Sequence, residues 1–209
     1  MDIQFLALNG SERSSGTTAT CLERARLHLR QRGCRLDVVH LGDHDIQQCS
    51  CGRCNSRPDP CPVADDTFAI VERMKAADAV IYASSVHAFG TSSVMQRFME
   101  RAGVGHLRFT RPLANKVGGI IVVARRYSDG DVHGQLVNNL LLNGMVLAGS
   151  GFPALIRAGG PRDVEADIEG LDAMYRMLDR MIDMCLTLRS AQRALPRPAT
   201  VEKRTGTLS

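Results

Sequence analysis

Residues 3–18 read IQFLALNGSERSSGTT, an apolar run that passes into a turn rich in serine, threonine and glycine. A short apolar run bounded by a turn predicts a buried β-strand over residues 3–8. Over residues 18–32, Leu22, Ala25 and Leu29 then recur at helical spacing. The stretch therefore predicts a strand, a loop and a helix, which is the first unit of an alternating α/β fold.

The same unit repeats along the chain. Further strands are predicted over residues 36–41, 79–83, 117–124 and 145–148. Helices are predicted to begin at residue 65 or 66, to span residues 94–102, to end near residues 143–144 and to span residues 163–188. Five strands alternating with helices predict an α/β protein with a doubly wound, five-stranded parallel sheet in the order 2-1-3-4-5.

The chain has 209 residues, 44% of them hydrophobic and 23% charged, which is typical of a globular protein. We expect one domain over residues 1–190, with a cysteine-rich loop at residues 49–61, and a flexible tail over residues 191–209. No apolar stretch suits a membrane span and the start lacks a secretion signal, so a soluble cytoplasmic protein with reduced cysteines is expected. The formal charge of +4 is scattered, which argues against nucleic-acid binding.

In a sheet of this order, ligands bind beyond the carboxyl ends of the strands, near the loops that follow the first, third and fourth strands. The first loop, residues 9–18, opens a helix, where unpaired backbone N–H groups, hydroxyl groups and the charge of Arg13 favour a bound anion. It matches neither G-x-G-x-x-G nor G-x-x-x-x-G-K-[ST], so a monophosphate fits it better than a dinucleotide or a nucleoside triphosphate. The alternative is that these residues only form a tight turn and cap the helix.

Residues 3–155 resemble the NAD(P)H-dependent FMN reductases, which have a flavodoxin-like fold. The phosphate loop of that family, Gly-Ser-x-Arg-x-x-(Gly or Ser)-Asn-Thr, is similar to residues 10–18, with Thr17 in place of the usual asparagine. The resemblance implies an FMN cofactor whose phosphate is held by the first loop. The residues implied are Ser11, Arg13, Ser15, Gly16, Thr17 and Thr18.

A second family signature, Ser-Pro-x-Tyr-x-x-x followed by Lys-x-Phe-x-Asp-Arg, is similar to residues 84–90, the second loop, and to residues 97–101. Ser85 replaces the usual proline and His87 the usual tyrosine. The backbone of the second loop is implied to frame the flavin ring, through Ser84, Ser85, Val86, His87, Phe89 and Gly90. The third loop, residues 124–135, resembles the family's glycine-rich loop more loosely and adds Arg125 and Arg126, and residues 143–151 resemble its Gly-Met-x-Val-x-Gly stretch.

Four cysteines lie within thirteen residues in the pattern C-x-C-x2-C-x6-C, namely Cys49, Cys51, Cys54 and Cys61. Close thiolates are suited to an iron–sulfur cluster or to a zinc ion. The iron–sulfur flavoproteins, a branch of the same family, carry a run similar to C-x2-C-x2-C near this place, and the spacing of Cys49 and Cys51 departs from it. A [4Fe–4S] cluster, zinc, and free or redox-active thiols are therefore the three alternatives for this loop.

The expected activity is that of an FMN-dependent oxidoreductase, which takes hydride from NAD(P)H and passes electrons to a small acceptor such as a flavin or a quinone. Geometry carries most of such catalysis, so no catalytic side chain is assigned, and His87 and His133 are candidates only for proton transfer to the acceptor. The alternatives are an iron–sulfur flavoprotein that carries electrons between protein partners and a redox- or metal-sensing protein. The resemblance also implies a homodimer or a homotetramer.

Overall fold

The computed structural model describes residues 2–50, 52, 54 and 61–191. Its central parallel strands are β1 (Gln4–Asn9), β2 (Arg35–His40), β3 (Ala79–His87), β5 (Val117–Ala124) and β6 (Val146–Leu147). Two more strands, β4 (Gly90–Thr91) and β7 (Ala154–Arg157), pair with β3 and β5. The order across the sheet is β2-β1-β3-β5-β6. Because β4 only forms a hairpin with β3, the five parallel strands follow the predicted order, and the predicted fold class is confirmed.

Within the described residues, five α-helices cover the two faces of the sheet. They are α1 (Thr17–Gln31), α2 (Thr67–Ala76), α3 (Ser93–Ala102), α4 (Asp129–Leu142) and α5 (Ile168–Ala191). The apolar faces of α1 and α5 pack on one side of the sheet, and those of α2, α3 and α4 pack on the other. Central strands covered on both faces are apolar throughout, and β5 is buried at every position.

The sequence predicts a single fifth strand beside β5, whereas the structure has two short strands there, β6 and β7. Leu147 of β6 pairs with Gly118, and the same edge of β5 is then taken by β7, where Ala154 pairs with Ile121. The N–H of Ala148 still donates to the carbonyl oxygen of Gly118 at 2.9 Å, and the chain leaves the sheet after it. Gly151, with a φ of 97°, and Pro153, which lacks an N–H, interrupt the strand there. The sequence therefore located β6 and missed β7.

The last helix begins later than residue 163, where the sequence predicts it. Pro161–Ala166 forms a 3₁₀ turn. The helix proper starts after Asp167, whose Oδ1 accepts a hydrogen bond from the N–H of Gly170 at 3.0 Å. The periodicity of a short 3₁₀ turn resembles that of a helix, which explains the error. Of the tail predicted over residues 191–209, the part from residue 192 onward lies outside the described residues.

The architecture brings the three predicted loops to one edge of the sheet. The parallel strands β1, β3 and β5 end in the same direction, and each of the three loops follows one of them. The carboxyl ends of such strands are where ligands bind in this class of fold. In the part of the chain that the structure describes, no helix has both the length and the apolar character of a membrane span.

Candidate functional site

The first loop is held in shape by Asn9, which is fully buried at the end of β1. Its Nδ2 group donates a hydrogen bond to Nδ1 of His40 at 2.8 Å, and its Oδ1 accepts one from the N–H of Ser11 at 2.9 Å. The hydroxyl oxygen of Ser11 accepts a further bond from the N–H of Arg13 at 3.2 Å. The loop is therefore ordered before a ligand arrives, which lowers the entropy lost on binding.

The start of α1 has the features of an anion site. Gly16 precedes the helix, no side chain caps its start, and its first turn contains no acidic residue. The first backbone N–H groups and the positive end of the helix dipole therefore face outward, as an anion requires. Arg13 and Ser15 are exposed beside this turn, Thr17 is half-buried, and Gly16 and Thr18 are buried. The structure thus brings the residues predicted for phosphate binding into one turn.

Gly10 fixes the spacing between the first and second loops. Its N–H donates to the carbonyl oxygen of Ala83 at 2.7 Å, and its own carbonyl oxygen accepts from the hydroxyl of Ser92. The N–H of Ser92 also donates to Oγ of Ser84 at 3.3 Å, so the Ser84 hydroxyl is used inside the protein. A Cβ atom at Gly10 would lie 2.8 Å from Cβ of Met95, and therefore only glycine fits here.

The second loop ends β3 in a tight hairpin. His87 pairs with Gly90, and the residues between them, Ala88 and Phe89, have φ values of 45° and 66°. Positive φ strains a residue other than glycine by about 1–3 kcal/mol. The turn holds the Phe89 side chain in solvent, where it is 71% exposed. Next to the turn, Oγ of Ser85 and Nε2 of His87 lie 3.2 Å apart.

A cavity of about 590 Å³ opens between the second and third loops. We call it the loop cavity, and its lining residues are Val86, Ala88, Phe89, Arg125, Arg126, Tyr127 and Gly159. Pockets that hold cofactors or small ligands usually measure about 300–1,000 Å³. Four residues predicted for the flavin ring line it, namely Val86, Phe89, Arg125 and Arg126, whereas Ser84, Ser85, His87 and Gly90 are outside the lining.

The third loop contributes two exposed arginines to the lining of the loop cavity. Its buried carboxylate, Asp129, accepts hydrogen bonds from Nε of Arg157 at 2.8 Å and from the N–H of Gly130 at 2.9 Å. Because Asp129 is neutralised by Arg157, it does not offset the charges of Arg125 and Arg126, which are exposed. The loop cavity therefore favours a negatively charged ligand group.

Arg101 connects α3 to the end of the cysteine-rich loop. It is 2% exposed, and its guanidinium donates to Oδ2 of Asp65 at 3.0 Å and to Sγ of Cys61 at 2.9 Å. Burial opposes the ionised form of Asp65, but hydrogen bonds from the backbone N–H groups of Gln47 and Thr67 and from Arg101 outweigh it and lower the pKa of Asp65. The buried ion pair of Asp65 and Arg101 therefore anchors this loop to the domain.

The cysteines predicted as metal ligands are only partly described. Cys49, Cys54 and Cys61 are half-buried, and Cys51 lies outside the described residues. Among residues 2–50, 52, 54 and 61–191, no three His, Cys, Asp or Glu side chains are grouped so that they could hold a metal ion. The described thiols therefore do not form a ready site for a [4Fe–4S] cluster or zinc.

A second cavity, of about 230 Å³, lies beneath residues 148–153 and is lined by His133 of α4 among mainly apolar residues. Burial lowers the pKa of His133, which keeps its ring neutral at neutral pH. His87 belongs to the second loop, beside the larger loop cavity. The two histidines predicted for proton transfer are thus not brought to one cavity.

Five residues that the structure places at the site were not among the predicted contacts: Asn9, Ala88, Ser92, Tyr127 and Gly159. Asparagine after a strand commonly bonds the backbone two residues on, so Asn9 had a readable signal. Ser92 precedes α3 and its Oγ accepts from the N–H of Met95 at 3.3 Å, which is the usual role of a helix-capping serine. Gly159 had no such signal, because it follows the strand that the sequence failed to predict.

The sequence matches a family model over the part of the chain that forms this site. The sequence profile of a family described as NADPH-dependent FMN reductase matches residues 3–159. The match runs from β1 to the residue that closes the loop cavity, and it includes all three loops. It therefore covers every part of the chain from which the site is built.

Similar curated proteins and solved structures belong to flavin-binding groups. An iron–sulfur flavoprotein of Methanocaldococcus jannaschii is 28% identical over 178 residues, which cover 81% of this chain and 91% of that protein. One from Archaeoglobus fulgidus is 33% identical over 124 residues, which cover 58% of this chain and 54% of that protein. The structure of RosB with the bound intermediate 8-demethyl-8-formylriboflavin-5'-phosphate has a TM-score of 0.74 at 19% identity, over 99% of this chain and 93% of that chain. An NADH:FMN oxidoreductase has a TM-score of 0.61 at 15% identity, over 96% and 94%.

The similar solved structures show that the fold is shared. The assignment to flavin-dependent oxidoreductases rests on the family match. The resemblance inferred from the first and second loops is confirmed, as are the predicted FMN cofactor and the assignment to the oxidoreductases. The chain belongs to the NADPH-dependent FMN reductase family.

Proposed function

We propose that FMN binds with its phosphate at the start of α1 and its flavin ring at the loop cavity, takes hydride from NAD(P)H and passes electrons to a small acceptor. The observation that carries this proposal is the arrangement of two complementary parts at one edge of the sheet. An anion-binding helix start and a cavity lie in neighbouring loops that Gly10 ties together. A ligand with a phosphate at one end and a flat ring at the other matches both parts.

The proposed contacts follow the predicted residues. Those for the phosphate are Ser11, Arg13, Ser15, Gly16, Thr17 and Thr18, and those around the ring are Ser84, Ser85, Val86, His87, Phe89, Gly90, Arg125 and Arg126. Ser84 acts by supporting the loop, since its hydroxyl is already bonded to the backbone N–H of Ser92. The rigid first loop and the glycine at position 10 fit the close approach of a bound phosphate.

Bound FMN supplies a ring that accepts hydride and gives up electrons, which no protein side chain can do. The protein contributes binding and orientation. Backbone N–H groups at the start of α1 hold the phosphate, and the backbone of the second loop frames the ring. The open side of the loop cavity receives first the nicotinamide and then the acceptor, so positioning supplies most of the rate enhancement.

The test uses the absorption spectrum of the full-length protein and its oxidation of NADPH and NADH. We expect one FMN per chain, with flavin bands that bleach on addition of either nucleotide. Arg13→Gln should raise the FMN dissociation constant at least about tenfold, because a hydrogen bond to a charged group contributes about 1.5–3 kcal/mol. Ser14→Ala, in the same loop and exposed, is the matched control. Failure to bind FMN in any redox state would refute the proposal.

A second candidate function is favoured by the names of the relatives. Five curated matches are iron–sulfur flavoproteins, and this chain carries four cysteines within thirteen residues. We propose, as the alternative, that Cys49, Cys51, Cys54 and Cys61 close around a [4Fe–4S] cluster and that the protein carries electrons between protein partners. The described residues contain no formed metal site, and Cys51 lies outside them.

Anaerobic reconstitution with iron and sulfide tests this alternative. A cluster would give broad absorption beyond the flavin bands and about four irons per chain. Cys54→Ser should abolish that absorption, whereas Cys34→Ser, a buried cysteine outside the loop, should retain it. A colourless protein that binds zinc would indicate a metal-sensing role for the loop. A protein that binds neither iron nor zinc would indicate free or redox-active thiols. Flavin bands that do not respond to NADPH or NADH would favour the carrier over the reductase.

We also propose a homodimer or homotetramer in the cytoplasm. The support is a pair of exposed apolar side chains at the end of α4 and outside the loop cavity, Leu141 at 56% and Leu142 at 44% exposure, which a second subunit would cover. Light scattering of the FMN-loaded protein should give a mass that is a multiple of 22.8 kDa. A monomer at micromolar concentration would contradict the assembly, and recovery in a secreted fraction would contradict the location.

A further inference from the structure

We propose that the loop cavity selects an aromatic electron acceptor that carries an anionic group, such as a sulfonate or a carboxylate. This inference rests on the proposed reductase function and narrows its acceptor. The basis is a combination of features in the lining of the cavity, which contains two guanidinium-bearing residues from the third loop and two exposed aromatic residues, one from each loop. The first pair matches an anion and the second matches a planar ring.

The charge of the cavity comes from Arg125 and Arg126, which are the only charged residues among the described residues that line it. The buried carboxylate of the same loop, Asp129, is already paired with Arg157 at 2.8 Å. Two other carboxylates, Asp131 and Asp163, are exposed and are not among the lining residues. Oδ2 of Asp163 would lie 3.0 Å from a Cβ atom at the lining residue Gly159, so this carboxylate offsets part of the charge of the two arginines, and solvent and salt screen both carboxylates. An anionic group entering the cavity therefore meets net positive charge.

The aromatic part is provided by Phe89 and Tyr127, which are 71% and 65% exposed. Phe89 stands on a two-residue turn with Ala88, and both residues have positive φ. A turn of this type is usually made by asparagine and glycine, so the phenylalanine is held there against its backbone preference. A role of the Phe89 ring in binding the acceptor would explain why this strained turn is kept beside the cavity.

The proposed reaction is a two-electron reduction of a quinone. NAD(P)H gives up a hydride, the quinone takes up two electrons and two protons, and the products are NAD(P)⁺ and the hydroquinone. One proton comes from the nicotinamide as part of the hydride and the other from solvent. The anionic substituent takes no part in this reaction, and its contribution is binding to Arg125 and Arg126.

The experiment compares 1,4-naphthoquinone-2-sulfonate with 1,4-naphthoquinone, with NADPH as donor and FMN at saturation. The measured quantity is the ratio of kcat/KM for the sulfonate to kcat/KM for the neutral quinone. A loss of FMN or NADPH binding lowers kcat/KM for both quinones by the same factor, so it does not change this ratio. Arg125→Gln and Arg126→Gln should each lower the ratio about 3- to 10-fold at low ionic strength, which lies between an exposed ion pair and a charge-assisted hydrogen bond.

Two controls separate charge from other effects. Arg126→Lys keeps the charge and should keep most of the ratio, and Arg180→Gln, exposed on α5 and outside the cavity lining, should leave the ratio as it is in the natural protein. High salt should lower the ratio of the natural protein towards that of the Arg125→Gln/Arg126→Gln double variant, because exposed charges are screened.

Other results would overturn the inference. If both glutamine variants keep the natural ratio, the arginines do not recognise the acceptor. If the variants keep that ratio but lose preference for NADPH over NADH, the anion they bind is the phosphate of the nicotinamide cofactor. If the natural protein oxidises neither nucleotide with either quinone, the proposed reductase function fails, which is a different result from a normal reaction without selectivity.

Discussion

Gly10→Ala tests whether the close packing at the first loop is what positions the phosphate site. The added Cβ would lie 2.8 Å from Cβ of Met95 and 3.1 Å from the carbonyl oxygen of Ala83. Neither atom can turn away, because one is attached directly to the backbone of α3 and the other belongs to β3. Overpacking of this kind costs about 1–3 kcal/mol, and it exceeds the gain of about 0.4–1 kcal/mol that alanine brings by restricting the unfolded chain.

The expected result is a net loss of stability together with weaker cofactor binding. Urea denaturation of the apoprotein should give a free energy of unfolding that is lower by about 1–2 kcal/mol, or a fall in Tm of about 2–8 °C. The FMN dissociation constant, from quenching of flavin fluorescence, should rise about tenfold or more, because the loop moves from its fixed position.

Two further variants sharpen the test of Gly10→Ala. Adding Met95→Ala removes the contact with Cε at 2.9 Å but leaves the contact with Cβ, so it should restore little. Gly134→Ala is the control, since its Cβ would meet no atom within 4 Å. If Gly10→Ala is as stable as the natural protein and binds FMN as tightly, then Gly10 is not a close-packed support of the site.

Three other changes have expected outcomes. Asp65→Asn should lower the free energy of unfolding by about 3–5 kcal/mol at pH 7, measured in urea, because it removes the carboxylate that neutralises the buried Arg101. Folding lowers the pKa of Asp65, so the stability that its carboxylate contributes is complete above the pKa of an unfolded aspartate, about 3.9, and is lost as the pH falls below that value. The Asp65→Asn variant should not show this loss of stability at low pH. Gly134→Ala, within α4, should raise the Tm through a gain of up to about 1 kcal/mol. Asn9→Ala should lose about 1–3 kcal/mol, because the N–H of Ser11 loses its buried acceptor, and calorimetry should show weaker FMN binding in parallel.

The elements that the sequence predicted well are those with local signals. Leu22, Ala25 and Leu29 recur at helical spacing and all three are buried in α1. The continuous apolar run at residues 117–124 predicted a strand covered on both faces, which is how β5 is found. The anion-binding turn was readable because hydroxyl residues, glycine and a helix start stand next to one another in the chain.

The features that escaped prediction depend on contacts between distant residues or on strain. Asp65 and Arg101 are 36 positions apart, and no local pattern shows that both are buried and paired. The four residues of β7 follow a loop with glycine and proline and have too short a run to show a period. The turn at Ala88 and Phe89 contradicts the residue preferences on which prediction depends, so only the structure reveals it.

The interruption between β6 and β7 also reduces the tendency of the sheet edge to aggregate. An open sheet ends in a row of unpaired N–H and C=O groups, which can template pairing with another chain. Here that border is divided into stretches of two and four residues, and Gly170 of α5 lies so close to Leu155 that an added Cβ would be 2.5 Å from its carbonyl oxygen. A border that is both short and covered offers little to a neighbouring strand, so joining β6 and β7 into one long, straight strand should make the protein aggregate more readily.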